Sequence, residues 1–147
     1  MYELPKFSYD LCAALLSSSS NIDAIIEQSK KLSTGRDFVL LLKPSKGLEG
    51  RLIPAYIGAM VRQSEGTMHS NSLAMETLLF VSGTMNIGNA IARAGADGKK
   101  FVIFSSKKSL LDLMVRKFGL KVLKNYSLVL DPRASGNVAI TAIKDDK

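Results

Sequence analysis

Two glycines, Gly83 and Gly88, have the spacing of a phosphate-binding P-loop. In that motif the second glycine is followed by Lys and then Ser or Thr, because a cation must meet the phosphates and a hydroxyl the magnesium ion. Asn89 and Ala90 occupy those two positions, so the segment lacks the required charge. Roles at helix ends and turns explain both glycines more simply. The same segment leaves one alternative function open, that of a dinucleotide-dependent oxidoreductase using the Gly83/Gly88 turn.

Other residue types that support catalysis or metal binding are sparse. The chain has one His and one Cys, so neither a Cys/His zinc site nor an intrachain disulfide can form. His69 has no Ser and carboxylate partners fixed by spacing, and we interpret it as a surface or loop residue. Composition alone leaves a carboxylate-rich metal site open. Because no constellation stands out, we predict no catalytic residues, no metal ligands and no cofactor.

The net charge of +7 is unevenly distributed along the 147 residues. Residues 1–92 carry eight basic and eight acidic side chains, whereas residues 93–147 carry twelve basic and five acidic ones. A cationic half favours an anionic partner, with nucleic acid ahead of anionic lipid. The alternative is a charged surface that only keeps the protein in solution. The basic residues that stand out flank or occupy one predicted helix: Lys99, Lys100, Lys107, Lys108, Arg116, Lys117, Lys121 and Lys124.

Apolar periodicity, caps and breakers predict alternating helices and strands. The predicted helices are one capped by Asn21 and ended by Gly35, one with Pro54 in its first turn and ended by Gly66, one over residues 73–82, one opened by Asn86 and ended by Gly95, and one capped by Ser105 or Ser106 and ending at Phe118. The predicted strands are residues 38–42, 101–104, 126–130 and 137–143.

These elements predict one compact domain over residues 1–147, of the α/β (α+β) class, with a short mixed sheet and helices packed on it. A composition that is 46% hydrophobic is sufficient for a core of this size. No apolar stretch approaches the roughly 20 residues that span a bilayer. Glu3 and Asp10 precede the first apolar run, which is unlike a signal peptide. We therefore expect a cytoplasmic protein without membrane association.

The segment of residues 71–91 resembles a known family. It reads Asn-Ser-Leu-Ala-Met-Glu-Thr-Leu-Leu-Phe-Val-Ser-Gly, followed by Asn86-Ile87 and Ala90-Ile91. This pattern is similar to the small tRNA-binding, kinase-binding subunit of the KEOPS complex, the family of the human PRPK-binding protein. The order and length of the other predicted elements agree with that family nearly end to end.

The resemblance implies a non-catalytic accessory subunit. In that complex another subunit transfers threonylcarbamoyl to the adenosine next to the tRNA anticodon, and a small atypical kinase with ATPase activity docks on it. The resembled family binds the N-terminal lobe of this kinase and recruits tRNA through its single-stranded 3′ CCA end. The other KEOPS subunits would therefore be indirect partners.

Site residues follow from the resemblance together with residue chemistry. For the kinase we predict apolar anchors, Ile87 and Ile91, because their helix is too short to bury residues on all sides. For tRNA we predict polar, basic and soft apolar residues around the family segment: Arg51, Arg62, Asn71, Ser72, Met75, Asn86 and Arg93, with Lys99 and Lys100 as phosphate contacts.

Overall fold

A computed structural model describes residues 10–126 and 128 of the protein. Its helices and strands follow one another along the chain as β1 (Cys12–Ser17), α1 (Ile22–Leu32), β2 (Val39–Leu42), α2 (Leu48–Glu65), α3 (Leu73–Ser82), α4 (Ile87–Ala94), β3 (Lys100–Ser105), α5 (Lys108–Phe118) and β4 (Lys121–Tyr126). The described residues form a single compact α+β domain, which confirms the predicted fold class.

The four strands form one sheet in the order β2-β3-β1-β4. All three neighbouring pairs are antiparallel, so the expected mixed sheet is wrong in that respect. The reason is the position of β3, which lies between β1 and β2 and runs opposite to both. β1 and β2 run in the same direction, but β3 separates them, so no parallel pair forms among the described strands.

Alternating side chains place a helical layer on each face of the sheet, as strand geometry requires. In β3, Val102 and Phe104 join the core beneath α2 and α3, whereas Phe101 and Ile103 face α1 and α5. All four side chains are fully buried. The apolar run of β3 therefore reflects a strand covered on both sides.

Local capping explains where α3 begins and ends. The hydroxyl of Ser72 accepts a hydrogen bond from the Met75 amide at 3.1 Å, and Gly83 ends the helix with a φ of 75°. Gly58 allows α3 to pack closely against α2, because a Cβ at this position would lie only 2.7 Å from the Phe80 ring. The predicted bounds of α3 are confirmed.

The predicted start of α2 is wrong. The helix begins at Leu48, so Pro54 lies in its second turn instead of its first. Gly47, at φ 75°, begins the helix without a side-chain cap, which leaves little trace in the sequence. Pro54 is exposed, while the buried side chains on either side of it, Leu52 and Tyr56 among them, hold the helix against the core.

Two further predictions need correction. Neither Ser105 nor Ser106 caps α5, because Lys107 holds the N-cap position without a side-chain hydrogen bond. The Ser105 hydroxyl instead donates to the Phe38 carbonyl at 3.1 Å and accepts from the Lys107 amide at 3.2 Å. That hydroxyl therefore links the ends of β2 and β3.

The strand pattern was also incompletely predicted. β1 was not expected, and the fourth strand ends at Tyr126 where the sequence placed a strand start. The remainder of that expected strand, apart from residue 128, and the expected strand at 137–143 lie outside the described residues. Within the described chain, no helix combines the length and apolar character needed to cross a membrane.

Candidate functional site

Helix α4 exposes most of its surface. The Asn86 side chain caps it by accepting a hydrogen bond from the Asn89 amide at 2.9 Å. Ala90 is its buried residue, whereas Ile87 and Ile91 are 39% and 50% exposed. Both isoleucines therefore lie open to contact, as their predicted role as docking anchors requires.

An apolar groove opens beside α4, between α1 and α3, with β2 as its floor. It has a volume of about 310 Å³. Three predicted site residues line it together, Ser72, Met75 and Ile91, and Lys30 stands among its polar residues. The Ser72 hydroxyl already caps α3, so it offers a ligand its remaining hydrogen-bonding capacity. Ile91, predicted for the kinase, thus shares a surface with residues predicted for tRNA.

A second, cationic cavity lies on the other side of α4. Its volume is about 140 Å³, and its lining includes Lys43, Arg51 and Arg93. The Arg51 guanidinium donates to the Ser45 hydroxyl at 2.6 Å and to the Val81 carbonyl at 3.4 Å. These contacts orient Arg51 without neutralising it. Two predicted tRNA contacts, Arg51 and Arg93, are therefore brought together, and Lys43 joins them.

Further basic residues occupy the same end of the sheet. Ser17, at the end of β1, pairs with Lys100 of β3 on one side and Lys121 of β4 on the other. With strands about 4.8 Å apart, Lys100 and Lys121 lie roughly 10 Å from each other. Lys99 precedes Lys100, and its backbone carbonyl accepts a hydrogen bond from the Ser18 amide at 2.9 Å. Lys43, which directly follows β2, extends the row toward the cavity.

We call this set the cationic sheet end: Lys43, Arg51, Arg93, Lys99, Lys100 and Lys121. Four of its members are among the predicted tRNA contacts: Arg51, Arg93, Lys99 and Lys100. Lys43 and Lys121 were not predicted as site residues. Lys43 follows the predicted strand at residues 38–42, and Lys121 was named only as part of the basic region. Strand order and register were needed to place both beside Lys100.

The basic residues of the C-terminal half do not share one location. Lys107 lies past the opposite end of β3 and pairs with Asp37 at 3.2 Å. Lys117, on α5, donates to the Gln28 side chain of α1 at 2.9 Å. The basic side chains of α5 are exposed, but that helix lies on the other face of the sheet from α4. The predicted basic region is thus divided between separate surfaces.

Arg62 lies in a buried cluster. Its guanidinium pairs with Glu76 at 3.0 Å and lies 4.2 Å from the centroid of the Phe80 ring. The Glu76 carboxylate, fully buried, also accepts hydrogen bonds from the His69 amide and the Ser70 hydroxyl, both at 2.9 Å. The Arg62 side chain is only 11% exposed. We therefore omit Arg62 from the candidate nucleic-acid surface.

The same cluster shifts the titration of Glu76. Burial alone would raise the pKa of this carboxyl. The hydrogen bonds from Arg62, Ser70 and the His69 backbone outweigh burial and hold the pKa below its ordinary value of 4.5. Glu76 is consequently ionised at neutral pH and fixes the loop before α3. Asn71, which is exposed, and Ser72 directly follow the two loop residues that Glu76 holds.

The single Cys and the single His of the chain are the residues considered for catalysis or metal binding. Burial raises the pKa of the Cys12 thiol to about 11, so it is protonated and weakly nucleophilic at neutral pH. His69 lies in a loop, as predicted, with its Nδ1 3.7 Å from one Glu76 oxygen, and the Ser70 hydroxyl donates to the other Glu76 oxygen at 2.9 Å. Among the described residues, no group of three or more His, Cys, Asp or Glu side chains is placed to hold a metal ion.

The Gly83/Gly88 segment connects two helices. Gly83 ends α3, and Gly88 lies inside the first turn of α4. P-loops and dinucleotide turns instead follow a strand, which delivers the glycines to the edge of a sheet. The observed context therefore does not favour the dinucleotide alternative.

No protein-family model matches the chain, and no curated protein matches it. The functional hypothesis consequently rests on residues 71–91 and on the surfaces around α4.

Proposed function

We propose that the protein is a non-catalytic, KEOPS-type accessory subunit that binds the small atypical kinase of that complex and recruits tRNA through its 3′ CCA end. The observation that carries the proposal is the position of α4. This helix borders an apolar groove on one side, through Ile91, and the cationic cavity on the other, through Arg93. A single-stranded nucleotide end has the matching halves, apolar base faces and anionic phosphates.

The base-binding half is the groove. Single-stranded RNA is recognised through unstacked bases held on apolar or aromatic surfaces and hydrogen-bonded at their edges. Met75 and Ile91 supply an apolar surface, and Ser72 with the exposed Asn71 supplies polar groups at the groove and beside it. Asn86 caps α4 through its side-chain oxygen, and its amide nitrogen is a further donor at the exposed start of this helix.

The phosphate-binding half is the cationic sheet end. Each phosphate neutralised by Lys or Arg releases counterions, so affinity at such a surface falls as salt rises. Arg51, Arg93, Lys99 and Lys100 are all exposed there. These contacts would add affinity for any RNA strand, whereas the groove would distinguish its terminal bases.

Kinase docking uses the exposed start of α4. Met85 and Ile87, 48% and 39% exposed, form an apolar patch at this position, next to the half-exposed Ile91. Exposed apolar side chains of this kind are typical anchors of protein interfaces. We assign Ile87 to the kinase and treat Ile91 as shared between the patch and the groove.

The test of the tRNA assignment is filter binding across a salt series, with intact tRNA and tRNA lacking its 3′ CCA. We expect the truncated tRNA to bind more weakly at every salt concentration, because the groove loses its bases. Both RNAs should retain a negative salt slope from the sheet end. Equal affinity for the two RNAs would overturn recognition of the CCA end.

The test of the kinase assignment is an affinity comparison between Ile87→Glu and Val122→Glu. Val122, on β4, is 42% exposed and therefore matches Ile87 in exposure and in the charge introduced. We expect Ile87→Glu to weaken binding to the purified kinase by at least tenfold, as for a truncated interface anchor. Val122→Glu should bind as the wild type does. The reverse order would move the docking surface to β4.

A further inference from the structure

Lys43 lines the cationic cavity and forms an ion pair with Asp97. The lysine Nζ lies 3.1 Å from a carboxylate oxygen of Asp97 and donates to the Ala92 carbonyl at 3.1 Å. The Asp97 side chain is 71% exposed, whereas that of Lys43 is 36% exposed. The acidic partner therefore lies outermost and can turn into solvent without disturbing packed residues.

The donors around the cavity suit a tetrahedral oxyanion. Arg51 has five N–H groups, of which its contacts with Ser45 and Val81 use two, so three remain within the described structure. Arg93 also lines the cavity, and Lys43 carries three N–H donors. A guanidinium presents a planar fork that matches two oxygens of one phosphate. The volume of about 140 Å³ is several times the roughly 30 Å³ of a water molecule.

We propose that this cavity binds a single phosphate group and that the Asp97 carboxylate is an internal competitor, which the phosphate displaces from Lys43. A carboxylate and a phosphate offer a lysine the same kind of partner, an anionic oxygen. The bound phosphate also contacts Arg51 and Arg93, and these additional partners favour it over the Asp97 carboxylate as the partner of Lys43. The inference rests on the proposed function only in naming the tRNA backbone as the source of the phosphate. Binding of inorganic phosphate tests the cavity separately from tRNA.

The opposite end of the sheet provides a matched control. Lys107 and Asp37 form an ion pair at 3.2 Å, with side chains 51% and 38% exposed. Asp37→Asn removes the same negative charge as Asp97→Asn and likewise releases a lysine. Lys107 lines neither the apolar groove nor the cationic cavity. A difference between the two variants therefore reports the cavity, whereas net charge would affect both equally.

The experiment is a titration of wild type, Asp97→Asn, Asp37→Asn and Arg51→Gln with inorganic phosphate at constant ionic strength, followed by backbone amide NMR shifts. We expect shifts at residues 43–51, 81–82 and 93–97. Removing the competitor should strengthen phosphate binding by about two- to fivefold in Asp97→Asn, the range of exposed ion pairs. Arg51→Gln should weaken binding about tenfold, and Asp37→Asn should match the wild type.

Two results overturn the inference. Equal strengthening in Asp97→Asn and Asp37→Asn would show that only net charge matters. Unchanged phosphate binding in Arg51→Gln would show that the cavity is not the site. A parallel titration with tRNA separates this inference from the proposed function: if tRNA does not bind while the phosphate pattern holds, the phosphate site stands and tRNA recruitment fails.

Discussion

Arg51 and Arg62 lie on the same helix and on the same side of it, yet their surroundings differ completely. They are eleven residues apart on α2, which is about three turns, so both point toward α3 and the turn that follows it. Arg51 is exposed, is oriented by a hydroxyl and a carbonyl, and lines a cationic cavity. Arg62 is almost entirely buried against Glu76 and Phe80.

Two arginines on the same side of one helix can therefore have different roles, depending on the groups that lie opposite them. A buried carboxylate opposite Arg62 makes its charge part of the folded structure, because an ion left unpaired in the interior is costly. In the described residues, Arg51 donates to a neutral hydroxyl and a neutral carbonyl and borders two other cations, so its charge stays available to an anion. Structural and binding roles can thus be separated by experiment on one helix.

The largest expected effect is on stability. Arg62→Ala leaves the buried Glu76 carboxylate without its cation, and we expect the free energy of unfolding to fall by about 3–5 kcal/mol. Arg51→Ala, at an exposed site, should lower it by less than about 1 kcal/mol. Urea unfolding followed by circular dichroism measures both. Similar losses in the two variants would contradict the assigned roles.

The next effect is a dependence on acid. Because the folded-state pKa of Glu76 lies below 4.5, its stabilising contribution is complete above the pKa of the unfolded state. It is lost as the pH falls through the folded-state pKa. Glu76→Gln should therefore be less stable than the wild type at pH 7, and this difference should shrink progressively in acid. Urea midpoints between pH 3 and 7 check it, and a constant difference would contradict the ion pair.

The smallest effect concerns the orientation of Arg51. Ser45→Ala removes the hydroxyl that accepts its hydrogen bond at 2.6 Å but leaves every charge in place. We expect tRNA affinity to fall about two- to fivefold, since one net hydrogen bond contributes around 1 kcal/mol or less. The expected change in stability is negligible. Ser109→Ala on α5 is the control, and an equal loss of affinity there would deny Ser45 a positioning role.

Local patterns predicted much of the fold but not its pairing. Asn21, Ser72 and Asn86 carry capping side chains beside apolar repeats, so α1, α3 and α4 could be located from neighbouring residues alone. β4, Lys121–Tyr126, lacks an apolar run, and its pairing with β1 identifies it as a strand. Strand pairing depends on residues distant in sequence, which a local pattern does not contain.

The site was predictable to a similar extent. The resemblance directed attention to α4 and the arginines around it, and exposure of Ile87 and Ile91 agrees with a contact surface. The separation of Arg51 from Arg62 depended on Glu76, fourteen residues beyond Arg62 and on another helix. Lys43 joined the site because β2 ends beside α4, a consequence of tertiary structure alone.

The central claim is that the cationic sheet end, and not basic charge in general, contacts tRNA. The direct measurement compares tRNA affinity across a salt series for Arg51→Gln/Arg93→Gln and for Lys107→Gln/Lys108→Gln, two exposed pairs of equal charge. We predict that the first variant loses about tenfold in affinity and about 1.4 in the magnitude of the salt slope, for two single-strand phosphate contacts. The second should retain both values. Equal losses in the two variants would contradict the claim.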